Sequence, residues 1–109
     1  MSWDIIYYSE KVQQWVDDLP VSLRAYYARI TERMVKYGPY LGMPYVRGLG
    51  NGLYEIRAIS KEGIARFFFG TKSKQIIILH GFIKKSQKTP KREVDLARRR
   101  LKEVGNENA

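Results

Sequence analysis

The 109-residue sequence contains no cysteine and a single histidine, His80. Without cysteine there is no disulfide framework and no thiolate metal site, and one histidine makes a protein metal site a poor expectation. No apolar run approaches the ~18 residues of a membrane span. The start, Met1-Ser2-Trp3-Asp4, has neither the cationic opening nor the apolar core of a signal peptide. A cytoplasmic chain with no membrane partner, no metal and no cofactor is the expectation. Acid is scarce where base is dense: between Lys84 and Lys102 only Glu93 and Asp95 oppose nine cations, Lys84, Lys85, Lys88, Lys91, Arg92, Arg98, Arg99, Arg100 and Lys102. That one segment is net +7 and carries most of the chain's +9.

What is present is a globular composition, 44% hydrophobic and 13% aromatic, which excludes a disordered tail. The length predicts one domain over residues 1–109, with a modest core. Clustered positive charge points to a polyanion partner: nucleic acid, an acidic protein or, less readily, a membrane surface. The plainer alternative is a solvated helix face. The stretch Gly81-Phe82-Ile83-Lys84-Lys85-Ser86-Gln87-Lys88-Thr89-Pro90 is the focus of the chain. An apolar strand enters it, a dense group of cations and hydrogen-bonding side chains fills it, and Thr-Pro leaves it as a helix start.

In chain order, Trp3–Tyr8 reads as a strand. Ser9 caps a helix with Val12, Trp15, Val16 and Leu19 at helical spacing. A second helix from Pro20 to Tyr37 puts Leu23, Tyr26, Tyr27, Ile30, Met34 and Tyr37 on one face for packing on a sheet, and Gly38-Pro39 stops it. Residues 40–52, with four glycines and Arg47 as the one charge, read as a loop. Three strands follow, Leu53–Ile59, Ile64–Thr71 and Gln75–Lys84, joined by short polar turns as an antiparallel meander. The last is apolar on both faces, as a covered central strand should be. A basic helix from Pro90 to about Val104 buries Val94, Ala97, Leu101 and Val104, and its sequence leaves open whether it packs on the sheet. The predicted fold is α+β, in the order β-α-α-β-β-β-α: a largely antiparallel four-stranded sheet with both N-terminal helices on one face and a basic C-terminal helix.

Strand alternation suggests a site. Tyr54, Ile56 and Ala58 share a core face, and Glu55 and Arg57 share the other. Arg66 lies on the side of Ile64 and Phe68, while Ile78, His80, Phe82 and Lys84 share a side. If Arg57, Arg66 and Lys84 point to one face, they form a cationic floor. Such a floor can hold an RNA phosphate and stabilise the added negative charge of a pentacoordinate transition state. The nucleophile can be the RNA's own 2′-OH, so no metal is required. A base is, and Glu55 or a lysine of depressed pKa fits. Phe82 and Tyr54 can stack on bases. Gln87, Lys88, Thr89, Lys91, Arg92, Arg98 and Arg99 extend the surface for RNA backbone. Simpler roles stand beside these: Glu55 in a salt bridge with Arg57 or a cross-strand neighbour, Tyr54 in the core, His80 structural at the end of a buried strand.

Leu53-Tyr54-Glu55-Ile56-Arg57, Arg66-Phe67-Phe68-Phe69 and Leu79-His80-Gly81-Phe82-Ile83-Lys84-Lys85-Ser86-Gln87-Lys88-Thr89-Pro90 resemble the RelE/HigB toxins of bacterial type II toxin–antitoxin systems, in particular the phage Gp49-like branch of the RelE/ParE superfamily. The resemblance spans nearly the whole chain. It implies a RelE/ParE-like fold and a metal-independent mRNA interferase, often acting in the ribosomal A site of the 30S subunit. Cleavage would leave a 2′,3′-cyclic phosphate, or its 3′-phosphate product, and a 5′-OH. It implies mRNA and the ribosome as partners, and a HigA-like helix-turn-helix antitoxin. Within it, Arg57 matches the basic residue of a Tyr-x-Ile-basic strand, and Arg66 the arginine that contacts the scissile phosphate. Lys84 and Lys85 match a basic pair ending the last strand. Glu55 stands where some relatives have lysine, and Lys84 or Lys88 is left to protonate the leaving oxygen. Two other functions fit the same superfold or charge: a non-catalytic ParE-like gyrase inhibitor, and a simple nucleic-acid-binding module.

Overall fold

The computed structural model describes residues 2–84 and 90–105. The chain runs β1 (Asp4–Tyr7), α1 (Glu10–Asp17), α2 (Val21–Tyr37), β2 (Val46–Gly50), β3 (Leu53–Ser60), β4 (Gly63–Lys72), β5 (Gln75–Lys84) and α3 (Lys91–Val104). The helix signals act as their chemistry requires. The Ser9 hydroxyl accepts the Val12 N–H at 3.2 Å, satisfying a donor at the start of α1. Pro20 and Pro90 stand immediately before α2 and α3, and glycines with positive φ, Gly38 and Gly105, follow their last residues.

The strands form one mixed sheet in the order β1-β5-β4-β3-β2. β3, β4 and β5 make the expected antiparallel meander, and β1 lies parallel to β5. The sheet therefore has five strands where four were expected. The extra one, β2, lies inside the segment expected to be a loop and pairs antiparallel with β3 at the edge. Asn51 and Gly52 connect them with φ of 53° and 83°. Left-handed conformation at both positions is what an Asn-Gly connection adopts most readily, and its twist matches that of the strands it joins.

A second departure sits in β5. Phe69 pairs with Ile78 but Phe68 pairs with His80, so Leu79 is an extra residue in the ladder. This bulge resets the alternation. Ile78 packs with the core under α1 and α2, whereas Leu79 joins the core under α3 and His80 stacks on Phe68 on that same side. The expected common side for Ile78, His80, Phe82 and Lys84 thus breaks between Ile78 and the other three.

Helices cover both faces. Val12, Val16, Leu23, Tyr27, Ile30 and Met34 of α1 and α2 pack on Ile56, Phe67, Phe69, Ile76 and Ile78. On the opposite face Ala97 and Leu101 of α3 cover Leu53, Phe68, Ile77 and Leu79. Consecutive phenylalanines in β4 therefore feed both cores, each worth ~1.5–3 kcal/mol of burial. Tyr37, expected in the buried stripe of α2, is instead 72% exposed. It is the helix's last residue, and Lys36 lies against its ring, 5.2 Å from the centroid. Two close approaches set the layer spacing. A Cβ on Gly81 would sit 2.3 Å from the Trp15 ring, and one on Gly70 2.3 Å from Leu101.

Candidate active site on the α3 face of the sheet

Strand register decides which charged side chains share a face. Arg57 lies opposite Arg66, and Arg66 opposite Phe82. One row away Glu55, Phe68 and His80 are aligned, and in the other direction Ile64 faces Lys84. Arg57, Arg66 and Lys84 therefore do project from one face, the one that carries α3. The helix covers only part of that face. Its buried residues pack with Leu53, Phe68, Ile77 and Leu79, with Phe82 at the margin, while Arg57 and Lys84 stay partly exposed.

Two arginines directly opposite one another repel, and a buried carboxylate compensates them. Glu55 has no exposed surface. Its Oε1 accepts from Nη1 of Arg66 in a short contact and also from Nη2 of Arg47 at 3.4 Å. Arg66 is 4% exposed, while the Arg47 side chain is 46% exposed. The sequence places Glu55 on an open sheet face, paired with Arg57 or a cross-strand neighbour. It is buried instead, and its partners lie on the adjacent strands: Arg47 directly opposite on β2 and Arg66 diagonally placed on β4. Four cations (Arg47, Arg57, Arg66, Lys84) against one carboxylate leave this patch with a surplus of three positive charges. Glu55 Oε2, Arg57 Nε and Arg66 Nε are buried with no hydrogen-bond partner among the described residues. Such orphaned groups mark a polar network that is incomplete by itself.

The surplus acts on Lys84. Partial desolvation, then the positive charges of Arg66, Arg57 and Arg47, lower its pKa below the ordinary lysine value, with Glu55 opposing. An aromatic wall bounds the patch. Phe68, His80 and Phe82 stack with interplanar angles of 12–21°. His80 Nε2 lies 2.6 Å from Oε2 of Glu93 in the first turn of α3, so this wall also ties α3 to β5. The sequence left His80 without a partner because Glu93 is thirteen residues away and meets it only across the layers. Arg47, the one charge of the expected loop, lies in β2, and strand pairing places it opposite Glu55.

The basic helix divides its charges. Arg98 donates to the carbonyls of Leu49 and Gly50 at 2.8 and 3.1 Å, and Arg100 donates to Leu79 O at 2.7 Å. These two dock α3 on the sheet. Lys91, Arg92 and Arg99 are exposed, with Lys91 beside Asp95 at 3.1 Å and Arg92 beside Glu93 at 3.8 Å. Phe82 is partly buried against the α3 core. Tyr54 packs on the other face, stacked on Phe69, and is not part of the patch. Lys85, Gln87, Lys88 and Thr89 lie outside the described residues.

The model of a family described as phage derived protein Gp49-like matches residues 14–102. The chain belongs to the Gp49-like family. No curated protein matches this Gp49-like chain. Among solved structures it is similar to a free-state mutant of the Escherichia coli toxin RelE in which two arginines are replaced by alanine. That match has 13% identity and a TM-score of 0.66, covering 93% of this chain and 99% of RelE. It is also similar to the archaeal RelE–RelB complex from Pyrococcus horikoshii OT3, at 20% identity and a TM-score of 0.57, over 78% of this chain and 98% of that one. The Gp49-like chain thus has a RelE-like toxin fold. Among its described residues no helix is long and apolar enough to cross a membrane.

Proposed function

We propose that this Gp49-like protein is the toxin of a type II toxin–antitoxin pair, and that it is an endoribonuclease of the RelE/HigB kind cutting mRNA in the ribosomal A site. The observation that carries the proposal is the convergence of Arg57, Arg66 and Lys84 on one face of the sheet, with Arg57 and Lys84 partly exposed and Arg66 buried between them and Glu55. The RelE-like fold supports it, and the solved RelE–RelB complex supports an antitoxin partner; we take that partner to be a HigA-like helix-turn-helix protein.

In the proposed reaction the 2′-OH of one nucleotide attacks the adjacent phosphorus. A P–O2′ bond forms as the P–O5′ bond breaks. The 2′-OH proton goes to a base, and the leaving 5′-oxygen receives a proton from an acid. The products are a 2′,3′-cyclic phosphate, opened by water to a 3′-phosphate, and a 5′-OH. The pentacoordinate transition state gains negative charge, which Arg57 and Arg66 meet as cations that never deprotonate. A lysine of lowered pKa exchanges protons more readily than an ordinary one, so Lys84 is assigned proton transfer, with Lys85 and Lys88, next in the sequence, as further candidate amines. Glu55, wholly buried, is assigned the positioning of Arg66 and not the role of base. Phe82 supplies an aromatic edge for a base, and Lys91, Arg92 and Arg99 an outer track for backbone, with Gln87 and Thr89 as further contacts.

Induction in bacteria followed by mapping of transcript 5′ ends tests this. New ribosome-dependent ends with the wild type, reduced about 10²–10³-fold by Arg57→Ala or Lys84→Ala, are expected. Growth arrest with DNA damage and intact mRNA would overturn the proposal in favour of a gyrase inhibitor. Arg57 and Lys84 are the informative positions, because removing Arg66 also strands Glu55.

A further inference from the structure

The opposite side of the molecule carries a second cationic and aromatic surface that the proposed reaction does not use. Along one side of α2, Tyr26, Arg29, Ile30 and Arg33 recur at helical spacing, and with Tyr45, just before β2, they line a cleft of about 240 Å³. Ile30 is buried and forms its floor, while Arg29 and Arg33 are exposed. The Arg29 guanidinium lies over the Tyr26 ring at 5.5 Å, and that of Arg33 over Tyr45 at 5.7 Å. Among the described residues neither arginine has a carboxylate within ion-pair distance. A second depression, lined by Arg29, Glu32, Arg33, Lys36 and Tyr37, shares the same two arginines. They therefore form a ridge between two hollows.

Ring stacking does two things for an arginine. It holds the planar guanidinium in place, and it leaves the N–H fork free for an anion. A cleft lined by two tyrosines and two such forks offers aromatic surface to a nucleobase and donors to its flanking phosphates. An acidic peptide would use the arginines but not the rings. We infer that this α2 cleft is a second RNA site, taking an unpaired base between Tyr26 and Tyr45 with its flanking phosphates on Arg29 and Arg33. It lies on the face of the sheet away from Arg57, Arg66 and Lys84, so the RNA it holds is a segment other than the one at the candidate active site. The inference deepens the RNA-directed function proposed above, but it rests on binding and not on cleavage.

The test uses the full chain carrying Arg57→Ala and Lys84→Ala, which weakens the other surface. Fluorescence anisotropy with a single-stranded RNA oligonucleotide measures what binding remains. Adding Arg29→Ala and Arg33→Ala should weaken it about tenfold or more and reduce the slope of log affinity against log salt by ~1.4, two phosphates at ~0.7 each. Tyr45→Leu should weaken RNA binding about fivefold or more and inorganic polyphosphate binding by less, since polyphosphate loses only the ring's hold on Arg33. Unchanged RNA affinity in the double arginine variant overturns the inference. So does an equal loss of RNA and polyphosphate binding in Tyr45→Leu, or poly-glutamate competing as well as RNA. If the wild type cuts no RNA yet these binding effects appear, the endoribonuclease proposal fails and this site stands.

Discussion

Glu55 has no contact with solvent, yet Arg66 and Arg47 share one of its oxygens. A buried ion pair adds little net stability when intact, but breaking it from one side leaves a charge stranded. Arg66→Ala should therefore destabilise the protein by about 3–5 kcal/mol in urea unfolding, toward the lower end because Arg47 remains. Combining it with Glu55→Leu should recover most of that loss. Near-wild-type stability of Arg66→Ala alone would contradict the pairing. Lys84 gives a second prediction, on pH. Its pKa in the fold is lowered from the ordinary 10.5, so between the lowered value and 10.5 the unfolded chain binds more protons than the folded one. Stability then rises with pH through that window. Wild-type stability measured against Lys84→Met should gain as pH climbs toward 10.5; a difference that falls with pH would contradict the shift. The effect is small, because Lys84 is partly exposed.

At the scale of elements, what sequence reveals depends on whether a signal is local. Helices α1 and α2, the β3–β4–β5 meander and α3 were legible because apolar periodicity and capping residues are local. β2 was obscured because glycines dilute its apolar pattern, and the Asn51-Gly52 turn that defines it was absorbed into a presumed loop. The β5 bulge was invisible, since nothing local marks Leu79 as the extra residue; it follows from how two strands pair. The cationic floor was legible because alternation within β3, β4 and the end of β5 is intact on either side of the bulge. The burial of Glu55 and the His80–Glu93 contact were not, since both depend on where α3 and β2 come to rest. Gly81 belongs to the same level. It admits the Trp15 ring onto β5, and Gly81→Ala should cost about 1–3 kcal/mol through overpacking. Trp15→Leu in the same chain should offset part of that cost in thermal or urea unfolding. Independent, additive losses would contradict the contact. Helix docking yields a further contrast. Arg98→Ala, losing bonds to Leu49 and Gly50, should destabilise by about 1 kcal/mol, whereas exposed Arg99→Ala should leave stability within ~0.5 kcal/mol.

For the whole molecule, the cations behind the +9 net charge divide between contacts within the fold and two separate surface groups. Arg98 and Arg100 hold the layers together. Arg47, Arg57, Arg66 and Lys84 gather on the α3 face, and Arg29 and Arg33 form the ridge on α2. A protein built this way should bind RNA with a steep salt dependence, the slope growing by ~0.7 for each single-strand phosphate contacted. A flat dependence would mean that these cations serve solubility alone. The chemistry itself is tested by the ends of the products. Purified protein would be incubated with ribosomes programmed with an mRNA, and with the same mRNA bearing a single 2′-deoxy nucleotide at the mapped cut. The predicted result is a 2′,3′-cyclic phosphate or 3′-phosphate and a 5′-OH on the first substrate, with no cut at the deoxy position of the second. Products bearing a 5′-phosphate and a 3′-OH, or undiminished cleavage at the deoxy position, would contradict cleavage by 2′-OH attack on the Arg57, Arg66 and Lys84 floor.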